Sequence, residues 1–180
     1  MASALGYHFL DSGALYRIAA YAAVQSGLVL DPSQEQAIAA LASTLDIRFE
    51  GERVWLDGQE VSEAIRTEQA GMDASAISSL PSVRAALMDM QQRFRRLPGL
   101  VADGRDMGTV IFPDAALKVF LTASARCRAG RRHKQLISKG ISATLAGIEQ
   151  DLEARDLRDS SRQSAPLKPA QDAKLLDNSE

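Results

Sequence analysis

Apolar positions along the chain switch between a 3.6-residue and a 2-residue period, and the switches predict the elements. Tyr7-His8-Phe9-Leu10 reads as a short strand running straight into Asp11-Ser12-Gly13. From Ala14 to Gln25 the period is helical, with Leu15, Ile18, Ala19, Ala22 and Ala23 on one side. Asp11 or Ser12 caps that helix by accepting from an orphan backbone N–H. Asp31 as N-cap, Pro32 at N1 and Gln34 at N3 give the next helix a capping-box-like start, with Ile38, Leu41 and Leu45 as its apolar face. Over 46–61 the period becomes 2. Asp46 to Glu50 alternates, Gly51-Glu52-Arg53 turns, Val54-Trp55-Leu56 returns, and Asp57-Gly58 turns again into Gln59-Glu60-Val61, a small antiparallel meander. Ser62 to Ser79 is only weakly helical.

From Leu80 the helical stripe is long: Leu80, Val83, Leu87, Met90, Phe94 and Leu97, until Pro98-Gly99 stops it. Leu100-Val101-Ala102 then reads as a strand buried on both faces, although so short a run does not separate strand from helix by periodicity alone. Lys118 to Thr122 reads as another buried strand. Ser124 caps a basic helix running to Lys139, with Gly140 as its C′ residue. A further helix starts near Ser142 with Leu145, Ile148 and Leu152 inward, and Lys174-Leu175-Leu176-Asp177 begins a last strand. Strands alternating with helices predict an α/β fold, a doubly wound parallel sheet carrying a small antiparallel insert.

Composition narrows the class. The 180 residues suffice for one domain, or one with a small insert. With 21 basic and 23 acidic residues the net charge is −2, so bulk electrostatics favour neither nucleic acid nor an anionic membrane. One cysteine, Cys127, excludes an internal disulfide and suits a reducing cytosol; two histidines far apart argue against a zinc site. No signal peptide or membrane span is visible in the pattern. Charge is nonetheless uneven: arginine and lysine outnumber acids between Arg126 and Arg162. That segment is either a solvated helical face or a wall for a polyphosphate.

The chemistry concentrates at strand ends. Gly99 to Thr109 packs Asp103, Arg105, Asp106 and two glycines immediately after a strand, where ligands of open parallel sheets sit. Asp11-Ser12-Gly13 joins a strand to a helix N-terminus, where free N–H groups favour anions, and Tyr16 and Arg17 follow one turn later. Arg155, Asp159 and Arg162 form one stripe at i, i+4 and i+7. A polar turn and a salt-bridge ladder would satisfy these patterns too.

Taken together, Asp11-Ser12-Gly13-Ala14-Leu15-Tyr16-Arg17, Ile65-Arg66-Thr67, Ala102-Asp103-Gly104-Arg105-Asp106-Met107-Gly108-Thr109-Val110 and Arg155-Asp156-x-x-Asp159-x-x-Arg162 closely resemble the bacterial cytidylate kinases over essentially the whole chain. The resemblance implies a nucleoside monophosphate kinase of P-loop fold that moves the γ-phosphoryl group of ATP, with Mg²⁺, onto CMP or dCMP. It implies a monophosphate-binding insert over 39–79 and a mobile basic lid over 126–140, within one domain. Carried residue by residue, it places Arg17, Arg105 and Arg162 on the CMP phosphate, where each guanidinium offers a bidentate fork. It places Ser75, Arg84 and Asp106 on the cytosine, Arg155 and Asp159 on the sugar, and Ser12 and Tyr16 along the monophosphate pocket. Arg128, Arg131 and Arg132 of the lid face the ATP phosphates. Arg105, Arg131 and Arg162 are the candidates for stabilising the transferring charge.

One departure accompanies the match. No G-x-x-x-x-G-K-[ST] motif occurs in the chain, and only six residues precede Tyr7, enough for the tail of a helix. That loop supplies the phosphate cradle, its lysine and the Mg²⁺ hydroxyl. A chain truncated at both ends is therefore expected, with an open seam where a first strand would lie; alone it should bind CMP without useful turnover. The alternatives are a non-catalytic CMP-binding module and a kinase accepting UMP as well as CMP. A nucleic-acid binder using the basic helix is disfavoured by the net charge and the scarcity of aromatics. The expected partners are small nucleotides, with no nucleic acid and no membrane, in a cytoplasmic monomer.

Overall fold

Helix α2 (Ser12–Gln25) organises the first part of the molecule: Leu15, Ile18, Ala20 and Ala23 are sealed from solvent along it. Its run of alanines lets neighbouring helices approach closely. The computed structural model describes residues 1–180 except Glu52, Lys139, Arg162, Gln163, Ser164 and Glu180, and falls into two units, Met1–Gly104 and Arg105–Glu180.

In the N-terminal unit a single turn α1 (Ala2–Leu5) leads through Gly6 into strand β1 (His8–Asp11). Strand β5 (Leu100–Asp103) pairs with it in parallel, His8 opposite Leu100 and Asp11 opposite Asp103. Gly99 precedes β5 beneath an aromatic ring: a Cβ there would lie 2.7 Å from the Tyr7 ring. Helices α3 (Glu35–Thr44), α4 (Glu68–Ile77) and α5 (Pro81–Gln92) complete the layer, with α2 packed on α4 and α3 packed on α5. Ile38, Ile77, Val83 and Leu87 meet α2 in one apolar cluster.

The antiparallel meander forms as β2 (Ile47–Glu50), β3 (Arg53–Leu56) and β4 (Gln59–Glu60). Asp57 and Gly58 take φ of 48° and 82°. Positive φ at both central residues is what a tight hairpin turn of matching twist requires.

Several local expectations are corrected. Gln34 does not reach back to close a capping box; its Oε1 accepts from Val29 N–H at 3.1 Å. Asp31 does cap, accepting from Ser33 N–H at 2.8 Å, but over a 3-10 turn (Pro32–Gln34) that precedes α3. The weakly helical stretch holds α4, capped by Thr67, which accepts from Ala70 N–H at 3.1 Å. Helix α5 stops at Gln92 rather than at Pro98. Leu97, the last position of the stripe, is 91% exposed. Phe94 instead meets Phe49 of the meander edge-on, with ring centroids 5.7 Å apart.

In the C-terminal unit a π-helical turn (Met107–Ile111) precedes β6 (Val119–Thr122), which pairs in parallel with β7 (Lys174–Asp177). Helix α6 (Ala125–Ser138) packs on α7 (Leu145–Ser161). Ser124 caps α6, accepting from Cys127 N–H at 3.2 Å. Gly140 closes it, its N–H donating to Ile137 O and that of Ile141 to Leu136 O; the expected last helical residue, Lys139, lies outside the described residues. Helix α7 starts at Leu145, capped by Thr144, which accepts from Gly147 N–H; Leu145 is exposed while Ile148 and Leu152 are half-buried.

The α/β class holds, with the parallel sheet present as two separate two-stranded pairs, one in each unit. A two-stranded sheet leaves both faces thinly covered. Accordingly β5 is only half-buried and β6 largely exposed, not buried on both faces.

Candidate functional site

In the N-terminal unit the candidates gather on α2, α4 and α5. Asp11, at the end of β1, accepts from Ala14 N–H at 2.9 Å and starts α2. Gly13 leaves room for that carboxylate, since a Cβ there would sit 3.2 Å from Asp11 Oδ1. Ser12 is buried, and its hydroxyl donates to Gln91 Oε1 at 2.6 Å. Tyr16 is buried one turn on. Arg17 is half-buried; its Nη1 donates to Ile65 O at 3.0 Å, and Gly71 of α4 leaves space beside its Nη2. Ile65 is buried and its carbonyl holds Arg17, Arg66 is an exposed partner of Glu63, and Thr67 starts α4. Ser75 is half-buried one turn after Gly71. Arg84 is 9% exposed on α5, donating to Ser78 O at 3.3 Å. A guanidinium buried this deeply is held by fixed acceptors rather than by water.

In the C-terminal unit Arg105 and Asp106 open the π-helical turn. Asp106 is 6% exposed, and its carbonyl accepts from the N–H groups of Thr109, Val110 and Ile111. Asp159 of α7 is 4% exposed; Arg105 Nη1 lies 3.5 Å and Arg155 Nε 4.0 Å from its Oδ2. Two arginines that the sequence singled out thus share the Asp159 carboxylate. The main chain of Asp159 is fixed as well, its carbonyl accepting from Leu167 N–H at 2.8 Å.

Of the basic helix, Arg128 forks onto both oxygens of Asp156, at 3.1 Å for Nη1, and also donates to Ala123 O at 3.0 Å. Arg131 donates to the carbonyl and side chain of Asn178, and Arg132 reaches Gln135 at 3.4 Å. Arg128 and Arg131 therefore anchor α6 to α7 and to the end of β7. Arg162 lies outside the described residues.

A model of cytidylate kinase matches residues 1–180. The cytidylate kinase of Cupriavidus necator is 60% identical over 180 residues, covering 100% of this chain and 80% of the relative. Those of Burkholderia pseudomallei and Ralstonia pickettii are 58% and 54% identical, covering 78% and 77% of those proteins. The chain belongs to the cytidylate kinase family. It is a phosphotransferase, as the family is, and among the described residues no helix is long and apolar enough to cross a membrane.

Members of this kinase family generally use a metal with ATP. Among the described residues no three His, Cys, Asp or Glu side chains gather to hold one. An open cleft of about 440 Å³, lined by Gly108, Thr109, Lys118, Lys168 and Asp172, contains none of the candidate residues.

The residue sequence reading missed is Gln91. Its signal was present: Arg84, Leu87 and Gln91 fall at i, i+3 and i+7, one face of α5. The apolar stripe traced through Met90, Phe94 and Leu97 drifted off that face.

Proposed function

We propose that the chain takes part in phosphoryl transfer from ATP to CMP or dCMP, giving CDP or dCDP in pyrimidine nucleotide metabolism, and that these residues form the acceptor side of that reaction. The observation that carries it is the Arg105–Asp159–Arg155 cluster, built from the Asp-Gly-Arg-Asp-Met-Gly-Thr segment on one side and the Arg-Asp-x-x-Asp stripe on the other. Arg105, with Arg17 and Arg162, binds the monophosphate through charge-assisted pairs. Asp159, oriented by its two arginines, accepts from sugar hydroxyls. Ser75, Arg84 and Asp106 read the cytosine, whose exocyclic amine donates and whose N3 and O2 accept. A site built that way rejects a base that leaves its buried polar groups unpaired. Ser12 and Tyr16 line the monophosphate pocket. Arg128, Arg131 and Arg132 face the donor phosphates, which requires the first two to leave Asp156 and Asn178. The insert over 39–79 and the lid over 126–140 close over the two nucleotides, and the protein works in the cytoplasm as a monomer.

Titration calorimetry of the 180-residue chain with CMP, dCMP, UMP and ATP tests the reading, together with a coupled ADP-release assay. Heat with CMP and dCMP, little with UMP, and ADP release that depends on CMP or dCMP are the expected results. ADP release that does not depend on CMP or dCMP would overturn the reading, and equal affinity for UMP would favour the broader specificity. Cytosine preference surviving Asp106→Ala would remove Asp106 from base reading.

A further inference from the structure

Gln91 sits at 0% exposure on α5, in the same buried layer as Val83 and Leu87, also at 0%. Its Oε1 takes the Ser12 hydroxyl proton at 2.6 Å, while its Nε2 is buried and has no hydrogen-bond partner among the described residues. A buried donor left unmade is a penalty of roughly 1–3 kcal/mol. A methionine of similar length would fill the same space without it. The amide therefore satisfies one buried donor, the Ser12 hydroxyl, while leaving another of its own unmade, so its net worth to stability is close to nil. The one polar contact it makes is with Ser12, across 79 positions of sequence, at the turn where β1 enters α2 beside Tyr16 and Arg17.

We propose that Gln91 is a positioning residue for monophosphate binding: its carbonyl oxygen fixes the rotamer and proton direction of the Ser12 hydroxyl, and through Ser12 the geometry of the pocket's rim. Serine at a helix start has several open rotamers, and its hydroxyl turns freely. A short bond to a group that cannot itself move, because α5 is packed on both sides of it, removes that freedom before ligand arrives. Preorganisation of this kind is read as affinity. Gln91 touches no nucleotide and acts only through Ser12. The inference rests on the reading that Ser12 lines the monophosphate pocket.

The test is a double-mutant cycle in the full 180-residue chain, with calorimetric Kd values for CMP and for cytidine, which lacks the phosphate, and a thermal melt of each variant. Gln91→Met is expected to weaken CMP about tenfold, the worth of one well-placed hydrogen bond. It should leave cytidine within twofold and the melting temperature about unchanged, because the orphaned Nε2 disappears as the Ser12 proton loses its acceptor. Ser12→Ala should show the same CMP loss, and adding Gln91→Met to it should add nothing. Equal CMP affinity in Gln91→Met overturns the proposal, and so does a parallel loss for cytidine, which a loosened core would give. If Gln91→Met does not fold, Ser12→Ala decides: an unchanged CMP Kd overturns the proposal. Wild-type chain that binds cytidine but not CMP overturns the pocket assignment as well, a result distinct from either of these.

Discussion

In the N-terminal unit Leu10, Leu15, Ile18, Ile38, Ile77, Val83 and Leu87 are all at or below 1% exposure and most of them form one continuous cluster. In the C-terminal unit the buried apolar side chains among the described residues are Ile111, Phe112, Ala129 and Leu136, and none of them joins that cluster. What ties the C-terminal elements together is polar: Arg128 to Asp156, Arg131 to Asn178, Lys118 to Asp172, Arg105 to Asp159. Apolar burial is indifferent to salt and pH over ordinary ranges, whereas partly exposed ion pairs are screened and titrated. The candidate residues on α2, α4 and α5 are thus held by packing, and those on α6, α7 and the 105–111 turn by ion pairs that salt and pH can loosen.

The largest effect that tests this contrast is Leu87→Ala, expected to destabilise the N-terminal unit by about 2–5 kcal/mol in urea denaturation. A loss under about 1 kcal/mol would mean the cluster is loosely packed. Next, Arg105→Ala should raise the CMP Kd roughly 10- to 100-fold, as loss of a charged hydrogen bond does, while barely moving the melting temperature. A large stability loss instead would make Arg105 a structural residue. Arg128→Lys keeps the charge but loses the fork, and should destabilise α6–α7 by about 0.5–1 kcal/mol given the pair's partial exposure. Amide exchange should then quicken in α6 and α7 and stay unchanged in α2 and α5. The smallest effect concerns Asp172, whose pKa the Lys118 ammonium holds below the ordinary 3.8. A lowered folded-state pKa means the pair's contribution is present above 3.8 and fades as pH falls through the folded value. Asp172→Asn should therefore melt slightly lower than wild type at pH 7, with the gap closing in strong acid. A gap independent of pH would show the contact is not ionic.

The Arg105–Asp159–Arg155 cluster was legible in part because motif spacing and helix period point the same way. Arg155 and Asp159 at i, i+4 predicted a shared face, and the structure adds Arg105 to it. The Asp57-Gly58 turn and the Gly140 helix end were readable because few residues suit those backbones. What the pattern concealed was tertiary. Whether β5 and β6 are covered depends on layers no four-residue window contains, and α5 ends at Gln92, before the last two positions of the apolar stripe. Gln91 escaped notice because a lone polar residue in a helix carries no motif; only its partner, far away in sequence, gives it meaning.

The ring of Tyr7 lying over Gly99 makes a claim about tolerance. Nothing in the backbone at 99 demands glycine, yet even one methyl group must evict an aromatic side chain that flanks the first β1–β5 pair. Gly130, inside α6, has open space on every side of its missing Cβ. A saturation library selected for folded protein should therefore return a single letter at one of these positions and nearly the whole alphabet at the other: one glycine is obligatory through crowding, the other is replaceable.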